Sequence, residues 1–389
     1  MSRRTCNTLK PCTEPPFGVA WNTQQKSVTD EYEQRGFAGR FGPGLPRVSD
    51  GSLLFLLHLI SKMQPVKNGE GGSRLAIVLN GSPLFTGGAG SGESNIRQWI
   101  IENDLLDAII ALPTDMFYNT GIATYIWVLD NNKPAKRKGK VQLINAVDMF
   151  GKMRKSLGSK RKELRPKDIE RICNLYDSFR NQHATDEHDA HSKVFKGEDF
   201  GYSTITVERP LQLRFTPTED KVEEVLAQKS VDKLKDGEKA ALRTALTALI
   251  GWEWKDRDQF VIELRDALRN AGLTKPSASL VKTIWSAIGE HDEDAVIVTN
   301  AKSDAEPNPA LRDTENVPLT DDIEEYFARE VLPHVPNAWI DHDKTKVGYE
   351  IPFTRHFYRY VPPRPIEDIQ TDLRVLVSEI QEMLKEVGA

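Results

Sequence analysis

A turn made of two prolines and a phenylalanine is the segment of this sequence best suited to chemistry. Pro15 and Pro16 have fixed φ angles and no N–H group, so the turn presents carbonyl oxygens that secondary structure cannot all use. A planar amino-heterocycle could donate from its exocyclic NH₂ to the Pro15 carbonyl and to a side-chain oxygen of Glu14, while its ring stacks on Phe17. Taken alone, the pattern is more typical of an ordinary proline-rich loop.

The elements that must position this turn alternate between helix and strand. The sequence predicts a helix in SLLFLLHLISKM, a strand in RLAIVLN, a helix capped by Ser94 in SNIRQWIIEND, and strands in LLDAIIALP, TYIWVLD and KVQLINA. The first two strands flank a helix, as in a βαβ unit, and the last two are expected to add antiparallel at a sheet edge. The pattern indicates half of an open α/β sheet, with ligands expected in the loops after Asn80 and Leu112.

The composition excludes several classes of protein. The 389 residues are 39% hydrophobic and 28% charged, which is typical of a globular chain with two or three domains. The longest apolar run, 53–60, is far shorter than the roughly 20 residues that cross a membrane, and the N-terminus lacks the apolar run of a secretory signal. We therefore expect a cytoplasmic protein. Its three cysteines argue against a disulfide framework or a four-thiolate zinc site.

Positive charge is concentrated in one part of the chain. Segment 133–171 holds 14 Lys and Arg against 4 Asp and Glu, although the net charge of the whole chain is −5. One interpretation is a surface that follows a phosphate backbone, with Lys160, Arg161 and Lys162 as contacts. The alternative is a solvated connector whose lysines keep it soluble.

The histidines of segment 183–191 form a weaker pattern. His183, His188 and His191 could be a zinc set, but the segment HATDEHDAH is wholly polar and offers no apolar frame to orient ligands. We therefore interpret it as a solvated loop and predict no metal site.

The C-terminal residues show the most regular spacing in the chain. After the prolines of 362–365, apolar residues recur at alternating spacings of three and four. They are Ile366, Ile369, Leu373, Leu376, Ile380, Met383 and Val387. This heptad seam favours a helix that docks on a partner, although a terminal helix could also pack on its own domain.

Five segments of the chain together resemble one family. They are PPFGVAW, LNGSPLFTGGAGSGESNIRQWIIEND, ALPTDMFYNTGIATYIWVLDNNK, DFGYSTITVERPLQLRF and VGYEIPFTRHFYRYVPPRPIEDI. They resemble, in the same order, segments of the modification subunits of type I restriction–modification systems, which are adenine-specific N6 DNA methyltransferases that use S-adenosylmethionine. The resemblance implies an α/β fold, the second half of a Rossmann-like methyltransferase sheet followed by a mainly helical C-terminal region.

The resemblance also implies roles for individual residues. Pro15, Pro16 and Phe17 match the family's Asn-Pro-Pro-Phe motif, in which the Asn side chain and the first proline's carbonyl accept from the adenine amino group and the aromatic ring stacks on the base. Position 14 is Glu where the family has Asn. The glutamate side chain is longer than asparagine and negatively charged. The family's later loop, which helps to enclose the flipped base, corresponds to Phe117, Tyr118, Asn119, Thr120 and Gly121.

The family's partners are double-stranded DNA, a specificity subunit that reads the sequence, and a restriction subunit in the full complex. The resemblance implies the same partners here, with the C-terminal seam as a means of docking on the specificity subunit.

The expected organisation has six parts. They are an atypical N-terminus at 1–13, the C-terminal part of the methyltransferase domain at 14–150, a basic connector at 151–215, a helical module at 216–301, a linker at 302–318, and a docking segment at 319–389.

The family's glycine-rich cofactor loop has no counterpart in the sequence. Only 13 residues precede Glu14, and the TGGAGSG stretch at 86–92 departs from G-x-G-x-x-G because position 95 is Asn. The alternative to an active methyltransferase subunit is therefore a truncated, catalytically silent assembly or DNA-binding fragment.

Overall fold

The computed structural model describes residues 12–13, 15–118, 120–180, 191–358, 360 and 363–387. The strands are β1 (Cys12–Thr13), β2 (Val66–Lys67), β3 (Glu70–Gly71), β4 (Arg74–Asn80), β5 (Leu106–Ala111), β6 (Thr124–Asp130), β7 (Lys140–Asn145), β8 (Gly151–Leu157), β9 (Lys160–Glu163), β10 (Ser192–Lys196), β11 (Gly201–Glu208), β12 (Leu213–Phe215), β13 (Gly289–His291), β14 (Asp313–Pro318) and β15 (Trp339–Tyr349). The α-helices are α1 (Gln25–Arg35), α2 (Ser52–Ile60), α3 (Ser82–Phe85), α4 (Gly92–Glu102), α5 (Pro166–Ser178), α6 (Glu219–Leu226), α7 (Asp236–Thr247), α8 (Arg257–Asn270), α9 (Ala278–Ile288), α10 (Ile323–Tyr326), α11 (Phe353–His356) and α12 (Ile366–Val387).

The main sheet is mixed, and its described strands have the order β1–β4–β6–β5–β7–β10. β1 is parallel to β4, and β5 is parallel to β7. β4 and β5 are both antiparallel to β6, so they run in the same direction with α4 between them in sequence. The α/β class and the βαβ unit predicted from the sequence are therefore confirmed.

The predicted position of the later strands is wrong. β6 is antiparallel, as expected, but it lies between β4 and β5 instead of at an edge, and β7 is parallel to β5. The reason is that β6 is apolar on both faces. Trp127 and Leu129 belong to one core, whereas Ile126 and Val128 pack against another, and such a strand is stable only in the sheet interior.

Helices cover the two faces of this sheet. On one face the sheet packs against α2 and α4, and Ile77 and Ile100 are fully buried there. On the other face Ile172 of α5 packs on β5 and β7. Helix α4 begins earlier than predicted, because its N-cap is Ser91, whose hydroxyl accepts from the Ser94 N–H at 3.2 Å.

A second sheet follows, with the order β14–β11–β15 and antiparallel pairing. Its strand β14 occupies the last part of 302–318, for which the sequence predicts a linker. That expectation is wrong for this part, because the backbone pairs with β11 from Tyr202 opposite Pro318 to Val207 opposite Asp313. A polar strand is tolerated here because one face of an antiparallel sheet can meet solvent.

Helices α6 to α9 lie between β11 and β14 in the sequence and enclose their own core. Phe215 stacks on Phe260 in this core, with ring centroids 4.4 Å apart, and Leu246, Leu264 and Ile284 are fully buried beside them. We call 216–301 the helical module.

Helix α12 projects from the rest of the chain. Every side chain described between Ile366 and Lys385 is exposed, so the seam does not pack on its own domain. No helix within the described residues is long and apolar enough to cross a membrane.

Candidate functional site

The two-proline turn lies at the edge of the main sheet where parallel strands end. β1 runs parallel to β4 with Thr13 opposite Ile77, so the turn that follows β1 emerges beside the end of β4 at Asn80. Pro15 is buried and Phe17 is half-buried. The turn therefore lies at the edge where α/β sheets bind ligands, beside the loop after Asn80.

Two aromatic rings meet at this edge. Phe17 and Phe117 approach edge to face, with centroids 5.8 Å apart and ring planes at 77°. We call this pair the aromatic corner. It joins two segments that lie 100 positions apart and that the resemblance assigns to the same base. In an edge-to-face pair, a planar ligand can stack on the face of one ring while the other ring limits its position.

The chain after Phe17 is tied to the start of α2. The Trp21 indole is buried and donates to the Arg47 carbonyl at 2.9 Å, and the Trp21 backbone N–H donates to the Val48 carbonyl at 3.0 Å. The Gly51 N–H donates to the Val19 carbonyl at 3.0 Å. These bonds fix the path of the turn, so the position of Phe17 is set by the folded core.

The segment that contains Phe117 is held by strand β9 and by the turn that joins β8 to β9. We call residues 151–163 the basic hairpin and residues 113–123 the base loop. Four hydrogen bonds between described residues join the two. They are Ser159 N to Tyr118 O at 2.9 Å, Arg161 N to Asp115 O at 3.0 Å, Lys162 N to Asp115 O at 3.2 Å, and Lys162 Nζ to Thr114 Oγ1 at 3.0 Å.

The other residues of the base loop turn back on themselves. Phe117 and Thr120 form a bridge across the turn, and the Thr120 hydroxyl accepts from the Ile122 N–H at 3.3 Å. Gly121 is exposed, and a Cβ there would lie 2.8 Å from Asp115 Oδ1. The sequence assigned these residues to one loop, and the structure adds the hairpin that supports them.

The three predicted backbone contacts lie on β9 but are not equivalent. Arg161 is exposed and Lys160 is half-buried. The Lys162 side chain is only 22% exposed, because its ammonium lies 3.8 Å from Asp115 Oδ2 and 4.3 Å from the Phe150 ring centre. Lys160 and Arg161 are thus available to a ligand, while Lys162 holds the base loop.

Part of the positive charge of 133–171 is structural. Lys133 and Arg137 are buried, where Lys133 pairs with Asp104 and Arg137 with Asp107, each at 2.6 Å. The sequence count of this segment therefore overstates the positive charge that a ligand would meet.

Two buried polar atoms at the same edge are unsatisfied. Asn80 Oδ1 and Thr124 Oγ1 have no hydrogen-bond partner among the described residues, and the two residues are opposite one another in the β4–β6 pairing. Sequence reasoning pointed to the loop after Asn80 but missed both side chains. A ligand donor at this edge would relieve the cost of burying them.

The glycine-rich stretch at 86–92 is filled by the protein itself. The fully buried Arg97 guanidinium donates to the carbonyls of Thr86 and Gly87 at 2.7 and 2.9 Å. A Cβ on Gly92 would lie 1.8 Å from the Leu45 carbonyl oxygen, so the backbones are in close contact there. Two carbonyls of the stretch are thus bound by Arg97, and Gly92 packs against the Leu45 backbone.

Several positions singled out by the sequence lie outside the described residues. They are Glu14, Asn119, His183 and His188. His191 is described and buried, with Nδ1 3.0 Å from the Asn145 carbonyl oxygen.

The chain is similar to known DNA methylase subunits. The type I restriction enzyme MjaVII methylase subunit of Methanocaldococcus jannaschii is 31% identical over 179 residues, which are 46% of this chain and 28% of that protein. The MpnII methylase subunit of Mycoplasma pneumoniae is 28% identical over 44% of this chain and 28% of that protein. A solved structure, the type I restriction-modification methyltransferase subunit of Streptococcus thermophilus, is 25% identical with a TM-score of 0.38, covering 51% of this chain and 37% of that one.

The chain thus spans 28% of the length of each of these two curated relatives. Residues 11–207, just over half of the chain, match the model of the N-6 DNA Methylase family. This range contains the two-proline turn, the aromatic corner, the base loop and the basic hairpin. The chain belongs to the N-6 DNA methylase family.

Proposed function

We propose that the chain is part of the modification subunit of a type I restriction–modification system, which transfers a methyl group from S-adenosylmethionine to N6 of adenine in a specific DNA site. The observation that supports this proposal is the contact between Phe17 and Phe117, which belong to the two segments that handle the base according to the resemblance. The proposal implies a cytoplasmic protein, because its DNA substrate lies there.

In this proposal the two-proline turn holds the extruded adenine. The Pro15 carbonyl and the Glu14 carboxylate accept hydrogen bonds from the exocyclic amino group, and the base stacks on Phe17. The unsatisfied Asn80 Oδ1 supplies a further acceptor at the same edge. Because a donor on the base would satisfy acceptors that are otherwise left unpaired, an adenine is favoured over a base without an amino group at that position.

The glycine-rich stretch does not fit the methyl donor. Arg97 binds two of its carbonyls and the Leu45 backbone packs against Gly92, so this stretch is built for packing within the chain and departs from a cradle for the methionine part of S-adenosylmethionine. We therefore assign the described residues to base capture, DNA contact and assembly, and we assign no donor-side step to them. The same observation favours the second candidate function, an assembly or DNA-binding fragment without catalytic activity.

The partners in this proposal meet two different surfaces. Double-stranded DNA contacts Lys160 and Arg161 on the basic hairpin, beside the base loop. The specificity subunit docks on the exposed seam of α12, and the restriction subunit joins the full complex. Because the two surfaces are far apart in the sequence, substitutions in one can abolish its binding without changing residues of the other.

A base-preference experiment tests the base-binding proposal. The full chain is titrated, by fluorescence anisotropy, with a duplex that carries one unpaired adenine and with the same duplex carrying an unpaired thymine. We expect tighter binding of the adenine duplex, and loss of the preference in Phe17→Ala and in Phe117→Ala. Phe37→Ala is the matched control, since that ring is 73% exposed and lies outside the aromatic corner. Equal binding of both duplexes by the wild-type chain would contradict the proposal.

Calorimetry separates the two candidate functions. Saturable binding of S-adenosylmethionine by the purified chain, together with recovery of a specificity subunit in a pull-down, would favour the methyltransferase. A positive pull-down without cofactor binding would favour the inactive assembly fragment.

A further inference from the structure

The basic hairpin and the base loop form one structural unit. Backbone N–H groups of Ser159, Arg161 and Lys162 all donate to carbonyls of the base loop, so the two segments are held by main-chain bonds that side-chain motion does not break. Lys162 Nζ adds a bond to Thr114 Oγ1. The hairpin and the base loop therefore share one set of hydrogen bonds that fixes their relative position.

At the tip of this unit two apolar side chains face solvent. Tyr118 is 63% exposed and Leu157 is 51% exposed. Gly158 follows Leu157 and has φ +60°, and a Cβ there would lie 2.7 Å from the Tyr118 carbonyl oxygen and 3.5 Å from its ring. The glycine allows the ring of Tyr118 to lie against the hairpin turn. We call Tyr118 and Leu157 the apolar tip.

Neighbouring residues of the base loop contact different parts of the structure. The Phe117 ring meets Phe17 in the aromatic corner, whereas the Tyr118 ring lies against Gly158 of the hairpin turn. The Phe117 ring is thus available to an extruded base, and the Tyr118 ring is available to a ligand that binds the hairpin.

The charge around the apolar tip identifies the ligand. Residues 151–163 contain six Lys and Arg and a single Glu, so the exposed apolar pair is carried on a strongly positive element. A DNA duplex complements both features, because its phosphates are anionic and its stacked bases are apolar.

We propose that Tyr118 and Leu157 form a wedge that enters the base stack of duplex DNA and fills the vacancy left by the extruded adenine. This rests on the proposed function, in which the base is taken out of the stack. Apolar side chains inserted between base steps stabilise unstacked DNA in other proteins, and here the wedge and the base-binding ring belong to one loop. The wedge occupies the vacancy, so the base cannot return to the stack while Phe17 holds it.

The test compares two duplexes of the same sequence. In one, a single adenine is replaced by a stable abasic analogue, so that the vacancy exists before the protein binds; the other is fully paired. The wild-type chain is expected to bind the abasic duplex about tenfold more tightly, because the wedge can enter the existing vacancy without first unstacking a base. The double variant Tyr118→Ser, Leu157→Ser should bind both duplexes within about twofold of each other, while Tyr118→Phe should keep the preference.

The control variant is Ile262→Ser, which removes an apolar side chain of similar exposure, 59%, from the helical module and should leave the preference intact. Equal binding of the two duplexes by the wild-type chain would overturn the wedge and leave DNA binding in place. A preference that survives in the double variant would also overturn it. Binding of neither duplex would contradict the wedge and the proposed DNA binding together.

Discussion

The Arg97 guanidinium donates from Nε to the Tyr349 carbonyl oxygen at 2.5 Å, although the two residues lie 252 positions apart in the sequence. This bond joins helix α4 to strand β15. The Tyr349 N–H in turn donates to Ser94 Oγ on α4 at 2.9 Å. Because the other donors of Arg97 take the carbonyls of Pro83, Thr86 and Gly87, a single side chain joins helix α4, the glycine-rich loop and the second sheet to one another.

Replacing Arg97 should therefore destabilise the fold. Arg97→Met keeps much of the volume but leaves several buried carbonyls without donors, and we expect the free energy of unfolding to fall by about 3 kcal/mol or more. Urea unfolding followed by circular dichroism measures the change. Arg265→Met is the matched control, because Arg265 is exposed on α8. A loss below about 1 kcal/mol would contradict the role of Arg97.

The pH dependence of stability should carry a contribution from Tyr349. Burial raises the pKa of its hydroxyl to about 12, and the neighbouring Glu102 carboxylate adds to the shift. The hydroxyl of the unfolded chain has a pKa of about 10, so the stabilisation is complete below pH 10 and is lost as the pH rises towards 12. In Tyr349→Phe the free energy of unfolding should fall less steeply over this range than in the wild-type chain.

Tyr358→Phe is the comparison for that experiment, because its ring is 70% exposed. Parallel curves for the wild type and Tyr349→Phe would show that this hydroxyl does not contribute.

The salt dependence of DNA binding should distinguish the basic residues of β9. Neutralising Lys160 and Arg161 together, as Gln, should reduce the slope of log K against log salt by about 1.8, at roughly 0.9 for each phosphate that the protein no longer neutralises. Lys162→Gln alone should leave the slope almost unchanged, because the Lys162 ammonium is turned towards Thr114 and Asp115.

Lys229→Gln with Lys233→Gln removes two exposed charges from the helical module and serves as the control for the double variant. The DNA-contact assignment fails if all three proteins give the wild-type slope.

The exposed seam of α12 should control assembly. Leu373→Asp with Leu376→Asp places two carboxylates in an apolar seam, so co-purification with the specificity subunit should be lost. Thr371→Asp with Ser378→Asp adds the same charge to the same helix outside the seam and should leave the complex intact. Circular dichroism confirms that the helix persists in each variant. Recovery of the complex from the seam variant would disprove docking through these residues.

The sequence predicted the parts of this fold that depend on local pattern. The apolar run RLAIVLN became β4, and the capped amphipathic run before LLDAIIALP became α4, because each pattern fits one element type. The order of the strands in the main sheet could not be predicted from local sequence patterns. Trp127 and Ile126 are apolar on opposite faces of β6, which could have indicated a central strand, but the choice of neighbours depends on packing across the whole sheet.

Some residues of the candidate site could also be identified from the sequence, and others could not. Phe17 and Phe117 were singled out because their segments resemble a family, and no local rule would have paired two residues so far apart. Arg97 was missed because an arginine on a predicted amphipathic helix is expected to face solvent. Its burial depends on carbonyls that converge from a distant loop and from β15, which only the folded chain brings together.

The helical module has a consequence for how the second sheet can form. Strands β11 and β14 are neighbours in that sheet, yet Glu208 and Asp313 are separated in the sequence by the entire module. Bringing together the ends of a flexible chain of this length would carry a loop-closure entropy that grows with its logarithm. The ends here are already joined, because Leu211 N donates to Glu306 O and Asn308 N to Arg209 O, each at 2.8 Å. In the folded chain the module thus acts as a bridge that shortens the effective loop between the two strands. A tight turn in its place would span the same closed ends.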